Sequence, residues 1–158
     1  MSVQRGDAKL AAPCGLYCGA CPVFRATASG DSASLQRIAQ TMDVSPEQVN
    51  CLGCLAEKGR PKILEGRVCP TYRCCIEQKG LQFCYQCQDF PCLKLAPCAD
   101  RAQILPHNNK VYNLVLMQKL GLEEWLNMAQ ELWRQYFTDK WIQHFSGKKE
   151  GGGDKPKA

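Results

Sequence analysis

The chain has little with which to build an ordinary core over its first hundred residues. Of its 158 residues 45% are hydrophobic, but 12 of those are cysteines, all between Cys14 and Cys98. With the cysteines set aside, this stretch is poor in Val, Ile, Leu and Phe. Ordering it costs about 1–2 kcal/mol per residue in backbone entropy, against which so little apolar burial falls short. Small apolar-poor units are held instead by disulfides or by metal ions.

Other absences narrow the function. There is no Ser/His/Asp set, no paired carboxylates, no glycine-rich phosphate loop and no HExxH motif. No reaction class is selected, and the balance leans against an enzyme. The two histidines, His107 and His144, lie outside the cysteine clusters and read as surface or packing residues. No stretch approaches the roughly 18 apolar residues that cross a bilayer, so no membrane partner is expected. The opening MSVQRGDAKLAAPCG carries no apolar signal region and no cleavage pattern, which gives a cytoplasmic expectation. There thiols stay reduced, and clustered cysteines bind metal rather than pair as disulfides.

The formal charge of +5 counts every cysteine as neutral. Each four-thiolate site holding a divalent ion adds about −2, so two sites bring the folded chain near +1. That weakens the electrostatic case for nucleic acid. Part of the remaining positive charge sits in the tail, at Lys148, Lys149, Lys155 and Lys157.

What is present is thiol, in four groups: Cys14, Cys18 and Cys21; Cys51 and Cys54; Cys69, Cys74 and Cys75; Cys84, Cys87 and Cys92. In a CxxC pair the two intervening residues make a tight turn that aims both sulfurs to one side, the spread that two ligands at Zn–S of about 2.3 Å require. Gly53 and Gly19 ease that turn inside two of the pairs. Ten cysteines are expected as ligands: Cys14, Cys18, Cys21, Cys51, Cys54, Cys69, Cys74, Cys84, Cys87 and Cys92. Cys75 and Cys98 are left over and read as spare thiols. One natural site joins Cys51, Cys54, Cys69 and Cys74; a second joins Cys84, Cys87 and Cys92 to one member of the first group. An incomplete third site at Cys14, Cys18 and Cys21 also stays open. Tetrahedral thiolate sites suit zinc and iron–sulfur clusters alike. The cysteine–proline pairs Cys21-Pro22 and Cys69-Pro70 echo ferredoxin ligand runs. Cys14-x3-Cys18-x2-Cys21 has the spacing of a radical S-adenosylmethionine signature, but a barrel of roughly 200 residues or more cannot fit. The expected cofactor is zinc, about two ions per chain, with an iron–sulfur cluster as the alternative.

Around the thiols the pattern predicts helices. Asp31 or Ser32 caps a helix to Met42, with Leu35, Ile38, Ala39 and Met42 recurring on one face. Ser45-Pro46-Glu47-Gln48 is a capping box that starts a short helix. Ile76–Gly80 reads as a turn or two of helix, and residues 100–104 as a further short turn. From about Asn109 to Phe145 the cysteines stop and a helical period takes over. Val111, Leu114, Val115 and Met117 mark one helix, closed by Gly121. A second carries Leu122, Trp125, Leu126, Ala129, Leu132, Trp133, Tyr136 and Phe137, then Trp141, Ile142 and Phe145. This stripe reads as core packing against the cysteine-rich body, with a partner-binding face as the alternative.

The string Ala12-Pro13-Cys14-Gly15-Leu16-Tyr17-Cys18-Gly19-Ala20-Cys21-Pro22 resembles the opening of a bacterial and archaeal family, domain of unknown function 3795. Cys51-Leu52-Gly53-Cys54, Cys69 to Cys74, Lys79-Gly80-Leu81, Cys84-Tyr85-Gln86-Cys87, Asp89-Phe90-Pro91-Cys92 and Gly121 to Leu126 follow in the family's order. The resemblance covers most of residues 12–133. It implies a metal-binding protein, by convention a zinc protein, and no known reaction. The sequence departs from the pattern at Gly66, where relatives carry a cysteine, and at Gln135-Tyr136-Phe137, where some continue into a cysteine-rich ribbon.

These readings converge on a small, irregular, mostly-α metal-bound fold, with cysteine knuckles and short helices covered by a C-terminal helical pair. Residues 1–106 form the cysteine-rich metal-binding domain, 107–146 the helical extension packed on it, and 147–158 a disordered tail. The expected function is a structural zinc-binding protein serving as an interaction or adaptor module with a protein partner. An iron–sulfur protein in electron transfer, or a partner of a redox enzyme, is the first alternative. A nucleic-acid-binding zinc protein is the second.

Overall fold

Proline at a first helical position and glycine just past the end delimit a helix from both sides, and the chain uses that pair directly after its first cysteine group. Pro22 opens α1 (Pro22–Ser29), and Gly30, at φ +68°, closes it in the left-handed conformation. The sequence pattern left this stretch unassigned. α2 (Ser32–Met42) follows at once, capped by Asp31, whose carboxylate accepts the Ser34 N–H at 2.9 Å. Ser45 and Gln48 form the expected box, the Ser45 N–H donating to Gln48 Oε1 at 2.9 Å, but it opens a 3₁₀ turn (Pro46–Val49) rather than an α-helix.

The computed structural model describes residues 6–96 and 109–138, with side chains through Arg134. Cys98, His107, His144, Trp141, Ile142, Phe145, the turn expected at 100–104 and the tail from 147 lie outside the described residues, as do the side chains of Tyr136 and Phe137. Among the described residues the structure is mostly helical, without a β-sheet; one isolated bridge joins Ala11 and Tyr17. No helix among them is long and apolar enough to cross a membrane.

Short 3₁₀ turns and knuckles link α2 to α3 (Pro70–Tyr72), which runs without a break into a π-helical turn over Arg73–Gln78. α4 (Lys110–Leu120) ends at Gly121, and α5 (Leu122–Thr138) follows at once.

Two small cores hold these elements. In the first, Val23 of α1, Ala39 and Met42 of α2, and Val49 pack together, with Leu35 and Ile38 against them. In the second, Leu114 and Met117 of α4 and Trp125, Leu126 and Ala129 of α5 pack with Ala11, Tyr17, Ala20, Phe83 and Leu95. The C-terminal helical pair therefore lies on the cysteine-rich body, and its residues sit at the i, i+3, i+4 spacing of one helical face. The Gly6 N–H donates to the Leu126 carbonyl at 3.0 Å, which fastens the N-terminal lead-in to the same helix.

Candidate thiol centre

The first cysteine group is set on a closed loop. The Ala12 N–H donates to Leu16 O at 2.8 Å and the Gly15 N–H to Ala12 O at 2.9 Å, so residues 12–16 turn back with Cys14 at the tip. Gly15 takes φ +88°, and a Cβ there would stand 2.6 Å from the Lys110 carbonyl oxygen and 2.9 Å from Leu114 Cγ. Only glycine lets this loop approach α4 so closely. The Asn113 side-chain amide, buried in α4, donates to Gly15 O at 2.8 Å and fixes the contact. Gly15→Ala is expected to cost about 2–3 kcal/mol from left-handed strain and the backbone clash together. Denaturant unfolding checks this, and a change under 1 kcal/mol would contradict the close approach. Asn113→Leu, which strands the Gly15 carbonyl, is expected to cost about 1–3 kcal/mol by the same measurement.

Tyr17 carries the next step. Its ring meets Trp125 edge-on, centroids 5.9 Å apart, and its hydroxyl accepts the Asp7 N–H at 2.9 Å. Directly after it, the 3₁₀ turn Cys18–Ala20 presents Cys18, and Cys21 caps α1. The second group is tied back to α1, since the Cys51 N–H donates to Thr27 Oγ1 at 3.0 Å. Within the pair, Gly53 adopts φ +99°, as the tight turn requires. Glu57 stands beside it: its Oε1 accepts the Leu52 N–H at 3.0 Å, and Oε2 lies 3.6 Å from Cys51 Sγ. The Cys69 N–H donates to Gly59 O at 2.7 Å, which ties the third group to the loop after the second, and the Cys84 N–H donates to Pro13 O at 2.9 Å, which joins the fourth group to the first.

The thiols fall into two neighbourhoods. Cys14, Cys18, Cys51 and Cys69 all act electrostatically on Cys54, and Cys21 acts on Cys18 and Cys51. These six share one region. Cys74, Cys75, Cys84, Cys87 and Cys92 line a second, a cavity of about 20 Å³ whose wall includes Lys79 and Lys94. Cys14 lies between the two, acting on both Cys54 and Cys84. Cys74, which sequence order grouped with Cys51, Cys54 and Cys69, lines the cavity of the late group. Cys75, read as a spare thiol, lines the same cavity.

All eleven described cysteines are free thiols. Among the described residues no three Cys, His, Asp or Glu side chains stand as a group that could hold a metal ion. The donor chemistry fits a thiophilic ion, then, while the sulfurs do not converge. Two of the late sulfurs have other partners. Cys75 donates to Leu81 O at 3.4 Å, and Cys87 Sγ accepts Lys79 Nζ at 3.0 Å. A change of χ1 well moves a cysteine sulfur by about 3 Å, enough to exchange such partners for an ion.

Burial dominates the electrostatics. Desolvation pushes the Cys18 thiol up to about 11 and Cys51 up to about 12, and raises Cys14, Cys21, Cys54, Cys75 and Cys84 as well. These groups are neutral S–H at pH 7 without a cation among them. A bound ion would invert that preference by stabilising the thiolates.

Two functional candidates escaped the sequence pattern. Lys110 and Asn113 are buried at 8% and 7% exposure on the α4 face that meets the Cys14 loop, and Lys110 favours the Cys14 thiolate. Their signal was positional: 110, 113, 114 and 117 share one helical face, but two of the four are polar. Lys79, donating to Cys87 Sγ at 3.0 Å and to Asp89 Oδ2 at 2.6 Å, is a further polar group at the centre.

No curated protein and no solved structure matches the chain. One family model does, described as a protein of unknown function (DUF3795), over residues 10–97, which takes in all eleven of the described cysteines and more than half of the sequence. The chain belongs to the DUF3795 family.

Proposed function

We propose that the chain is a structural zinc-binding protein of the cytoplasm whose metal-held body serves as an interaction or adaptor module for a protein partner. The observation that carries the reading is the second thiol neighbourhood: five cysteines on the wall of one cavity of about 20 Å³. That wall is rich in thiols, the donor type that a thiophilic ion takes. Zinc fits such a place because thiolates bind it tetrahedrally and it brings no redox chemistry. Bound there, it would supply cross-links between segments far apart in sequence, which is what an apolar-poor body needs. The six-thiol neighbourhood, from Cys14 to Cys69, would take the second ion.

Elemental analysis with a visible spectrum on anaerobically purified protein tests the reading. About two zinc per chain and no colour are expected, by the four-thiolate count. Brown protein containing iron and labile sulfide would replace it with the iron–sulfur alternative, and protein without metal would overturn both.

A further inference from the structure

Between α1, α2 and α5 lies a groove of about 470 Å³ that the thiol centre does not use. Small-molecule sites have about this size, roughly 300–1,000 Å³. Pro22, Ala26 and Ile38 give the groove an apolar lining. Trp133 of α5 forms a further wall and packs against the second core, which braces its indole.

Two guanidiniums line the same groove, Arg25 from α1 and Arg37 from α2. Among the described residues Arg60, Arg67, Arg73 and Arg134 each pair with a glutamate, whereas Arg25 and Arg37 form no ion pair. Arg37 is nonetheless positioned, its Nη2 donating to Ser34 Oγ at 2.7 Å. Asp31, the carboxylate on the wall, is committed to capping α2 through the Ser34 N–H. Ser29 turns its hydroxyl back to the Arg25 carbonyl at 2.9 Å. The groove therefore keeps a net positive charge beside its apolar lining.

We propose that this groove binds a small aromatic anion, with its carboxylate or phosphate on Arg25 and Arg37 and its ring on the Trp133 indole. The planar guanidinium fork matches either oxyanion, two hydrogen bonds at a time. An indole takes a flat ring offset-stacked or edge-on. A bare inorganic ion would leave the indole and Ile38 uncovered, and a neutral ring would leave both guanidiniums without a counter-charge. One anionic end on an apolar body suits both halves of the lining. The site goes beyond the zinc reading and does not depend on it, since no cysteine lines the groove.

The test is a titration of the full chain, nitrogen-15 labelled, with 2-naphthoate, 2-naphthyl phosphate, 2-naphthylmethanol and inorganic phosphate. The indole N–H resonance of Trp133, assigned with Trp133→Phe, is the reporter. Saturable shifts are expected from one or both naphthyl anions, with a dissociation constant of about 1 mM or below. The tighter of the two decides between carboxylate and phosphate. Arg25→Gln and Arg37→Gln, both at exposed positions, should each weaken that binding about tenfold at an unchanged circular dichroism spectrum. Arg67→Gln, away from the groove wall, should leave it unaltered. Equal binding of the neutral alcohol or of inorganic phosphate overturns the proposal, as does undiminished binding in both arginine variants or the lack of any saturable shift. Metal content measured on the same samples keeps a failure of this site distinct from a failure of the zinc reading.

Discussion

If the chain holds zinc as proposed, its removal with a strong chelator is expected to unfold residues 13–98, with loss of most helical circular dichroism and recovery on adding zinc back. The reason lies in how little else holds the body. One of its two cores consists of four buried residues, Val23, Ala39, Met42 and Val49, of which one is alanine. The other draws half its buried residues from α4 and α5; among the described residues the cysteine-rich body contributes Ala11, Tyr17, Ala20, Phe83 and Leu95 to it. Structural zinc bound by thiolates supplies an apparent 10–16 kcal/mol, roughly the whole stability of an ordinary domain at about 5–15 kcal/mol. Helices of 11 and 17 residues are marginal alone in water, so α4 and α5 should melt once their platform is lost. The measurement is circular dichroism against chelator, with metal removal confirmed by elemental analysis. An unchanged spectrum on verified metal-free protein would refute the structural role. Serine at Cys54 or Cys87 should reproduce part of the loss without chelator.

The helical parts of this picture were legible because local signals act alone there. Asp31 before α2, Pro46 within a capping box and Gly121 between α4 and α5 each fix a boundary with neighbouring residues only. The apolar stripe of α5 was equally plain, and Trp125, Leu126 and Ala129 are where it pointed. α1 was missed because its eight residues are mostly small and polar, although Pro22 and Gly30 mark both ends. The thiol groupings were less legible, for a physical reason. Sequence spacing constrains two sulfurs across a single turn, whereas the partners of each pair are set by tertiary contacts such as Cys84 N–H to Pro13 O. Cys75 was left over from the ligand count, and no pattern announced the π-helical turn that sets it beside Cys74 on one cavity. Lys110 and Asn113 were passed over since a polar residue on a helix is usually a solvated one; here the Gly15 carbonyl and the Cys14 thiol give that face its partners.

Trp125→Ala is expected to destabilise the metal-replete protein by about 3–5 kcal/mol, the cost of deleting a large side chain from a packed interior. Trp125 is fully buried, and it joins three things at once. It anchors α5, it packs with Leu114 and Met117 of α4, and its ring meets Tyr17 edge-on. Tyr17 in turn stands over the Cys18 turn so tightly that a Cβ on Gly19 would come within 2.7 Å of the tyrosine ring. A cavity at position 125 would free Tyr17 to move, and with it the segment that carries Cys14, Cys18 and Cys21. The variant should therefore lose stability and also release metal faster to a chromogenic chelator, at an unchanged metal content. Tyr112→Ala on α4, where the ring is 58% exposed, is the matched control and should stay within about 0.5 kcal/mol of the parent, with the parent's release rate. A destabilised Trp125→Ala protein that releases metal no faster would separate the helical core from the thiol centre, and the coupling through Tyr17 would be wrong.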